Sequence, residues 1–177
     1  MIVLAGASAS GKTEVAKMLA QKYGITKMIT TTTRDKRVGE IDGRDYFFVS
    51  KQKFEEMLRE DKFIEYTIYN DNFYGSTKDQ IADNRCIVVD PAGLRAYIAL
   101  NNDSIITFYL DSLEETRFKR MISRGDPKEK ALNRLEHDRK AFNLDSLPKV
   151  DYHVDSETKN VEEVADEIYR IYSSLKK

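Results

Sequence analysis

Gly6-Ala7-Ser8-Ala9-Ser10-Gly11-Lys12-Thr13 fits the pattern G-x-x-x-x-G-K-[ST], and its flanks give it meaning. Before it, Ile2 to Ala5 is a short apolar run that reads as a buried strand. After it, Thr13 to Lys22 sets Val15, Met18 and Leu19 at the spacing of one helix face. A glycine-rich turn between strand and helix lets successive backbone N–H groups converge on phosphate oxygens at the positive end of the helix dipole. Lys12 is then placed to reach the outer phosphates, and the Thr13 hydroxyl suits a magnesium ion. The stretch is read as a phosphate-binding loop, which predicts a parallel α/β core around it.

The rest of the chain follows that plan. Apolar runs at Cys86 to Val89 and Ile105 to Leu110 have the length and β-branched content of buried parallel strands. Asp90-Pro91 reads as a helix cap followed by a first helical residue, and Ser112 with Glu115 as a capping box ahead of Phe118, Met121 and Ile122. Val161, Val164, Ile168, Ile171 and Leu175 mark a closing amphipathic helix. Between Thr30 and Tyr74 the alternation breaks. Strand-like pieces at Asp45 to Val49 and Phe63 to Tyr69 surround a helix carrying Phe54, Met57 and Leu58, as in an inserted lobe.

The bulk composition excludes several functions. At 177 residues and 41% hydrophobic, the chain supports one sizeable core. Its 29 basic and 30 acidic side chains nearly cancel, so no overall field favours nucleic acid or a membrane surface, and any anion site must be local. No run of apolar residues is long enough to cross a bilayer. The amino terminus has no basic start or cleavage site of a signal peptide, and the lone Cys86 sits in an apolar run, so a reducing, cytoplasmic setting is expected. His137 and His153 stand apart, which speaks against a dedicated transition-metal site.

A phosphate loop alone does not name a substrate, since ATPases, GTPases and small-molecule kinases all need one. The switch and guanine-reading motifs of GTPases are not found. Thr30-Thr31-Thr32-Thr33-Arg34-Asp35-Lys36-Arg37-Val38-Gly39-Glu40, continuing through Asp42-Gly43-Arg44-Asp45-Tyr46-Phe47-Phe48, closely resembles the monophosphate-binding segment of guanylate kinases. Phe63-Ile64-Glu65-Tyr66 and Asn72-Phe73-Tyr74-Gly75-Ser76-Thr77 resemble the next part of the same lobe. With the arginine-rich stretch near Arg124, the resemblance covers nearly the whole chain, thinning after Phe142.

The resemblance implies a P-loop kinase core over residues 1–29 and 78–177, a monophosphate-binding lobe over 30–77, and a lid near 120–134. It implies Mg²⁺-dependent transfer from ATP, held by Gly6 to Thr13, to GMP or dGMP. On that reading Arg34 and Arg37 grip the monophosphate and Tyr46 and Tyr74 donate hydroxyls to it. Guanidinium groups bind phosphate with charge-assisted, often bidentate bonds, so the residue types agree. Glu65 is the candidate base reader, because a carboxylate accepts together from the ring N–H and amino group of guanine, whereas adenine presents a lone pair at the matching nitrogen. Thr30 and Ser76 are implied at the opposite guanine edge. Arg120, Arg124 and Arg134 are carried over as lid arginines that neutralise the transferring phosphoryl group. Arg117 is assigned to the solvated helix face.

Some features depart from the family. Its Asp-x-Asp after the third core strand reads Val88-Val89-Asp90 here. Asp90 is open to three readings: near Mg²⁺-bound water, on the nucleotide, or only a helix cap. The lid is one residue shorter, and Asp151-Tyr152-His153-Val154-Asp155 stands where a strand usually leads to asparagine. Two alternatives remain: a non-catalytic scaffold module that docks phosphopeptides, which intact Lys12 and Thr13 oppose, and a kinase with another acceptor base. The sequence leaves monomer and homo-oligomer open.

Overall fold

The computed structural model describes residues 1–143 and 147–176. Strand β1 (Ile2–Ala5) lies at the centre of a five-stranded sheet, between β7 (Arg85–Val88) and β8 (Ile106–Asp111). β2 (Thr26–Lys27) flanks β7, β9 (Tyr152–Asp155) flanks β8, and every pairing is parallel. A strand buried on both faces sends alternate side chains to opposite layers. Ile2 and Leu4 join Val15, Leu19, Val164 and Ile168 on one face, while Val3 and Ala5 join Leu94 and Tyr97 on the other. The first layer is built by α1 (Lys12–Tyr23) and α6 (Val161–Ser174), the second by α3 (Pro91–Ala99). Cys86 is fully buried, and its burial lifts the thiol to about 11, so it acts as a packing residue.

Residues 31–77 form a separate four-stranded sheet in the order β4 (Phe47–Phe48), β3 (Thr31–Thr32), β6 (Asn72–Thr77), β5 (Phe63–Tyr69). Helix α2 (Lys51–Arg59), capped by the Ser50 side chain on the Lys53 N–H, closes it by stacking fully buried Phe54 on Phe63 at 4.2 Å. The strand-like piece expected over Asp45 to Val49 narrows to Phe47–Phe48. Its neighbours are bent by aspartates, with the Ile41 N–H donating to Asp45 and the Phe48 N–H to Asp42.

Helices α4 (Glu114–Ser123) and α5 (Lys128–Ala141) form a hairpin over the P-loop with a core of Met121, Ala131 and Leu135. The Ser112/Glu115 capping box is absent. Helix α4 starts after Leu113, whose N–H donates to Glu157, and Thr116 donates to the other oxygen of the same carboxylate. An acid 44 positions away thus ties down the start of the helix, which no local pattern reveals. A true capping box opens α6, between Asn160 and Glu163. Among the described residues, no helix is long and apolar enough to cross a membrane.

Candidate active site

The P-loop leaves β1 at Gly6 and enters α1 at Lys12. Gly6 has φ 146°, and a side chain there would meet Ser10 Oγ at 2.8 Å and the Leu110 carbonyl at 2.9 Å, so only glycine fits. Gly11 caps α1 at φ 98°, and Ala9, a residue with a side chain, is held at φ 62°. These left-handed positions curl the backbone so that N–H groups face one concavity. Lys12 folds onto its own loop, donating to the Gly6 carbonyl at 2.6 Å and the Ala7 carbonyl at 2.8 Å. Burial lowers its pKa to about 8, against an opposing pull from Asp138.

A cavity of about 470 Å³ opens beside the loop, lined by Gly6, Ser8, Lys12, Asp90, Arg95 and Asp138 among others. Asp90 sits at the carboxyl end of β7, where open α/β sheets place their ligands. It also caps α3, accepting from the Gly93 N–H at 2.8 Å. One oxygen is thus engaged in the cap, and the carboxylate still lines the cavity.

In the second sheet the structure gathers two groups. Glu65 and Ser76 face each other on β5 and β6, with Ser76 Oγ donating to Glu65 Oε1 at 2.7 Å. The register slips between Phe63 and Glu65, and the extra residue re-aims Glu65. Burial raises the Glu65 pKa, and the nearby charge of Asp90 adds to the rise. Thr31 pairs with Gly75 and Thr32 with Tyr74, and continuing that register by one residue would set Thr30 opposite Ser76. In the second group, the Arg34 guanidinium stacks over Tyr46 at 5.4 Å and Phe48 at 5.6 Å, and the Tyr46 and Tyr74 rings meet edge-on at 6.1 Å. Glu40 pairs with Arg34 at 2.7 Å and accepts the Arg37 N–H at 2.8 Å. The Arg37 residue itself is exposed.

The three arginines expected in a lid divide. Arg120 donates to the Ala9 carbonyl at 3.4 Å and the Ser156 carbonyl at 2.6 Å, so it already touches the P-loop. Arg124 and Arg134 instead converge on Asp126, at 2.6 Å and 3.2 Å, out at the exposed tip. Arg117 corrects the expectation of a solvated residue. It is 7% exposed and paired with buried Asp138 at 2.9 Å beside Ser8. Helical spacing puts Arg117 one position from the solvated stripe, and only the partner on α5 explains its burial. Asp138 lies outside every motif and Glu40 ends the monophosphate-binding string without a role read from it, so neither role was found from the sequence.

For Mg²⁺, the Thr13 hydroxyl at the start of α1 and the Asp90 carboxylate offer a sparse set of oxygens. Among the described residues no group of three or more His, Cys, Asp or Glu could hold a metal. This donor set fits an ion bound mainly by substrate phosphates and water.

A P-loop at the rim of a parallel sheet, beside a second sheet carrying a stacked arginine and a half-buried carboxylate, defines a P-loop kinase core. A family model described as guanylate kinase matches residues 1–168. A guanylate kinase of Wolbachia pipientis wMel is 31% identical over 176 residues, spanning 93% of this chain and 87% of that protein. One from Clostridioides difficile is 35% identical over 133 residues, spanning 71% and 64%. The crystal structure of guanylate kinase from Anaplasma phagocytophilum superposes with a TM-score of 0.59 at 25% identity, covering 98% of this chain and 84% of that one. The chain belongs to the guanylate kinase family.

Proposed function

We propose that the protein transfers the terminal phosphate of ATP to GMP, giving ADP and GDP, with a core over residues 1–29 and 78–177, an acceptor lobe over 30–77 and a lid near 120–134. The observation that carries the acceptor assignment is the Glu65–Ser76 contact of 2.7 Å beside the P-loop core. With Oε1 taken by Ser76, the carboxylate keeps acceptor capacity for the paired donors of guanine, and adenine would leave those lone pairs unmatched. Thr30 completes the base edge, and Ser76, whose one hydroxyl proton goes to Glu65, would donate to guanine only on leaving that bond.

The acceptor phosphate is held by Arg34 and the hydroxyls of Tyr46 and Tyr74, with Arg37 at the rim. Glu40 fixes the Arg34 fork, and the aromatic faces below it limit its rotation, so little ordering is left for the moment of binding. On the donor side, Lys12 would exchange its two loop carbonyls for the outer phosphates of ATP, while the N–H groups of the loop not already spent, as Ser8 is on Asp138 and Ser10 on the Ala7 carbonyl, cradle them. Arg120 lies nearest the loop, and Arg124 and Arg134 reach in only after leaving Asp126. Together these cations stabilise charge as the phosphoryl group passes between nearly in-line oxygens. Mg²⁺, held by Thr13 and through water by Asp90, would supply further neutralisation of phosphate charge. The complete P-loop, with Lys12 and Thr13 in place, disfavours a module that only docks phosphopeptides.

A coupled assay with ATP, Mg²⁺ and a panel of monophosphates tests the reading. Turnover with GMP or dGMP and little with AMP, CMP or UMP is expected. Equal rates with GMP and AMP would remove the base-reading role of Glu65.

A further inference from the structure

The Arg117–Asp138 pair stands out because, among the described residues, its side-chain hydrogen bonds outside the pair end on one P-loop residue. Asp138 Oδ2 accepts from the Ser8 N–H at 2.8 Å, Asp138 Oδ1 from Ser8 Oγ at 3.1 Å, and Arg117 donates to the Ser8 carbonyl at 3.4 Å. The two side chains are 6% and 8% exposed. A buried ion pair is a poor choice for stability alone, since two apolar side chains of similar volume serve as well or better. This pair even leaves Arg117 Nε buried without a partner. Its bonds point to the loop.

Ser8 directly precedes Ala9, whose φ of 62° is costly for a residue with a side chain and persists only where neighbours hold it. Helix α4 meets the loop again one residue on, where Arg120 reaches the Ala9 carbonyl, and Ala9 packs against Met121, Ala131 and Leu135. The base of the α4–α5 hairpin is therefore docked on the turn that shapes the phosphate cradle, while Arg124 and Arg134 at its tip stay exposed.

We propose that Asp138 and Arg117 are positioning residues for nucleotide binding, holding Ser8 so that the strained turn at Ala9 keeps its phosphate-accepting shape without ligand. The inference rests on reading the P-loop as the ATP site. A cradle already formed spends less of the binding energy on ordering backbone, so the benefit appears in ATP affinity and not in GMP affinity.

The test compares the parent with Asp138→Asn, Asp138→Ala and the double substitution Arg117→Met with Asp138→Ala. Each is titrated with Mg²⁺-ATP and separately with GMP by calorimetry, alongside a thermal melt. Asp138→Ala should weaken ATP binding about tenfold or more, from the loss of two bonds to a charged acceptor, with GMP affinity unchanged. Asp138→Asn, which keeps an oxygen for the Ser8 N–H, should fall between. The double variant loses both buried charges together, so its melting temperature should recover toward the parent's while ATP binding stays weak. It carries the test if Asp138→Ala fails to fold. A folded double variant that binds ATP as tightly as the parent, or one that loses ATP and GMP affinity alike, overturns the proposal. A parent that binds GMP but not ATP would instead overturn the P-loop reading beneath it.

Discussion

Replacing Glu65 by glutamine changes one oxygen for an amide of nearly the same shape. In the structure Oε1 accepts from Ser76 and burial raises the pKa of the group, so the carboxylate is held in a partly dry site with one partner. As proposed, guanine would add two donors. Glutamine turns one acceptor into a donor facing them, which removes one charge-assisted bond and opposes the other. At about 1.5–3 kcal/mol for a hydrogen bond to a charged group, a loss near 3 kcal/mol lowers kcat/KM for GMP about 100-fold or more. Stability should move the opposite way. The folded pKa lies above that of the unfolded chain, so stability falls as the pH rises from the unfolded to the folded value and the cost is complete above it, and Glu65→Gln relieves that cost at neutral pH. The assay is initial-rate kinetics with GMP and with AMP at saturating Mg²⁺-ATP, plus a thermal melt at pH 7. A protein that melts no lower than the parent yet loses GMP selectivity is the expected result. A kcat/KM for GMP within about threefold of the parent would refute the base-reading argument.

Three further outcomes follow from the geometry. Lys12, with a pKa near 8 when free, should lose its proton as the pH rises past that value, while bound phosphate would favour the charged form; ATP affinity should therefore fall by up to about tenfold per pH unit above 8, and a flat profile to pH 9.5 would contradict it. Asp126→Asn removes the carboxylate that holds Arg124 and Arg134, and because both contacts are exposed the KM for ATP should drop by no more than about fivefold at low salt; a rise would mean that Asp126 assists the nucleotide. Asp90→Asn keeps the cap on the Gly93 N–H, so the melt should shift by under about 0.5 kcal/mol, while a raised Mg²⁺ requirement marks a role near the ion and weaker GMP binding a role on the nucleotide; no change in either removes Asp90 from the site.

The core was legible because its signals are local. β1, the P-loop and α1 are contiguous, and period-two burial along Ile2 to Ala5 follows from a central strand. The acceptor strings were also readable, and the ladder that sets Glu65 against Ser76 joins two of them. What escaped depends on distant partners. The slip between Phe63 and Glu65 re-aims a side chain through its pairing with β6, and Glu157 holds the start of α4 from 44 positions away. Arg117 looked like a surface residue because helical spacing ranks faces but does not reveal an aspartate on the neighbouring helix. The Asp126 contacts likewise form only when α4 and α5 fold together.

The most direct test follows the phosphoryl group itself. The purified protein is mixed with ATP labelled at the terminal phosphate, Mg²⁺ and an equimolar mixture of GMP and AMP, and the products are separated. Label recovered chiefly in GDP, with no comparable label in ADP formed from AMP and little inorganic phosphate, is the predicted result. Label appearing mainly as inorganic phosphate, or equally in the two diphosphates, would contradict transfer to a guanine-selected acceptor.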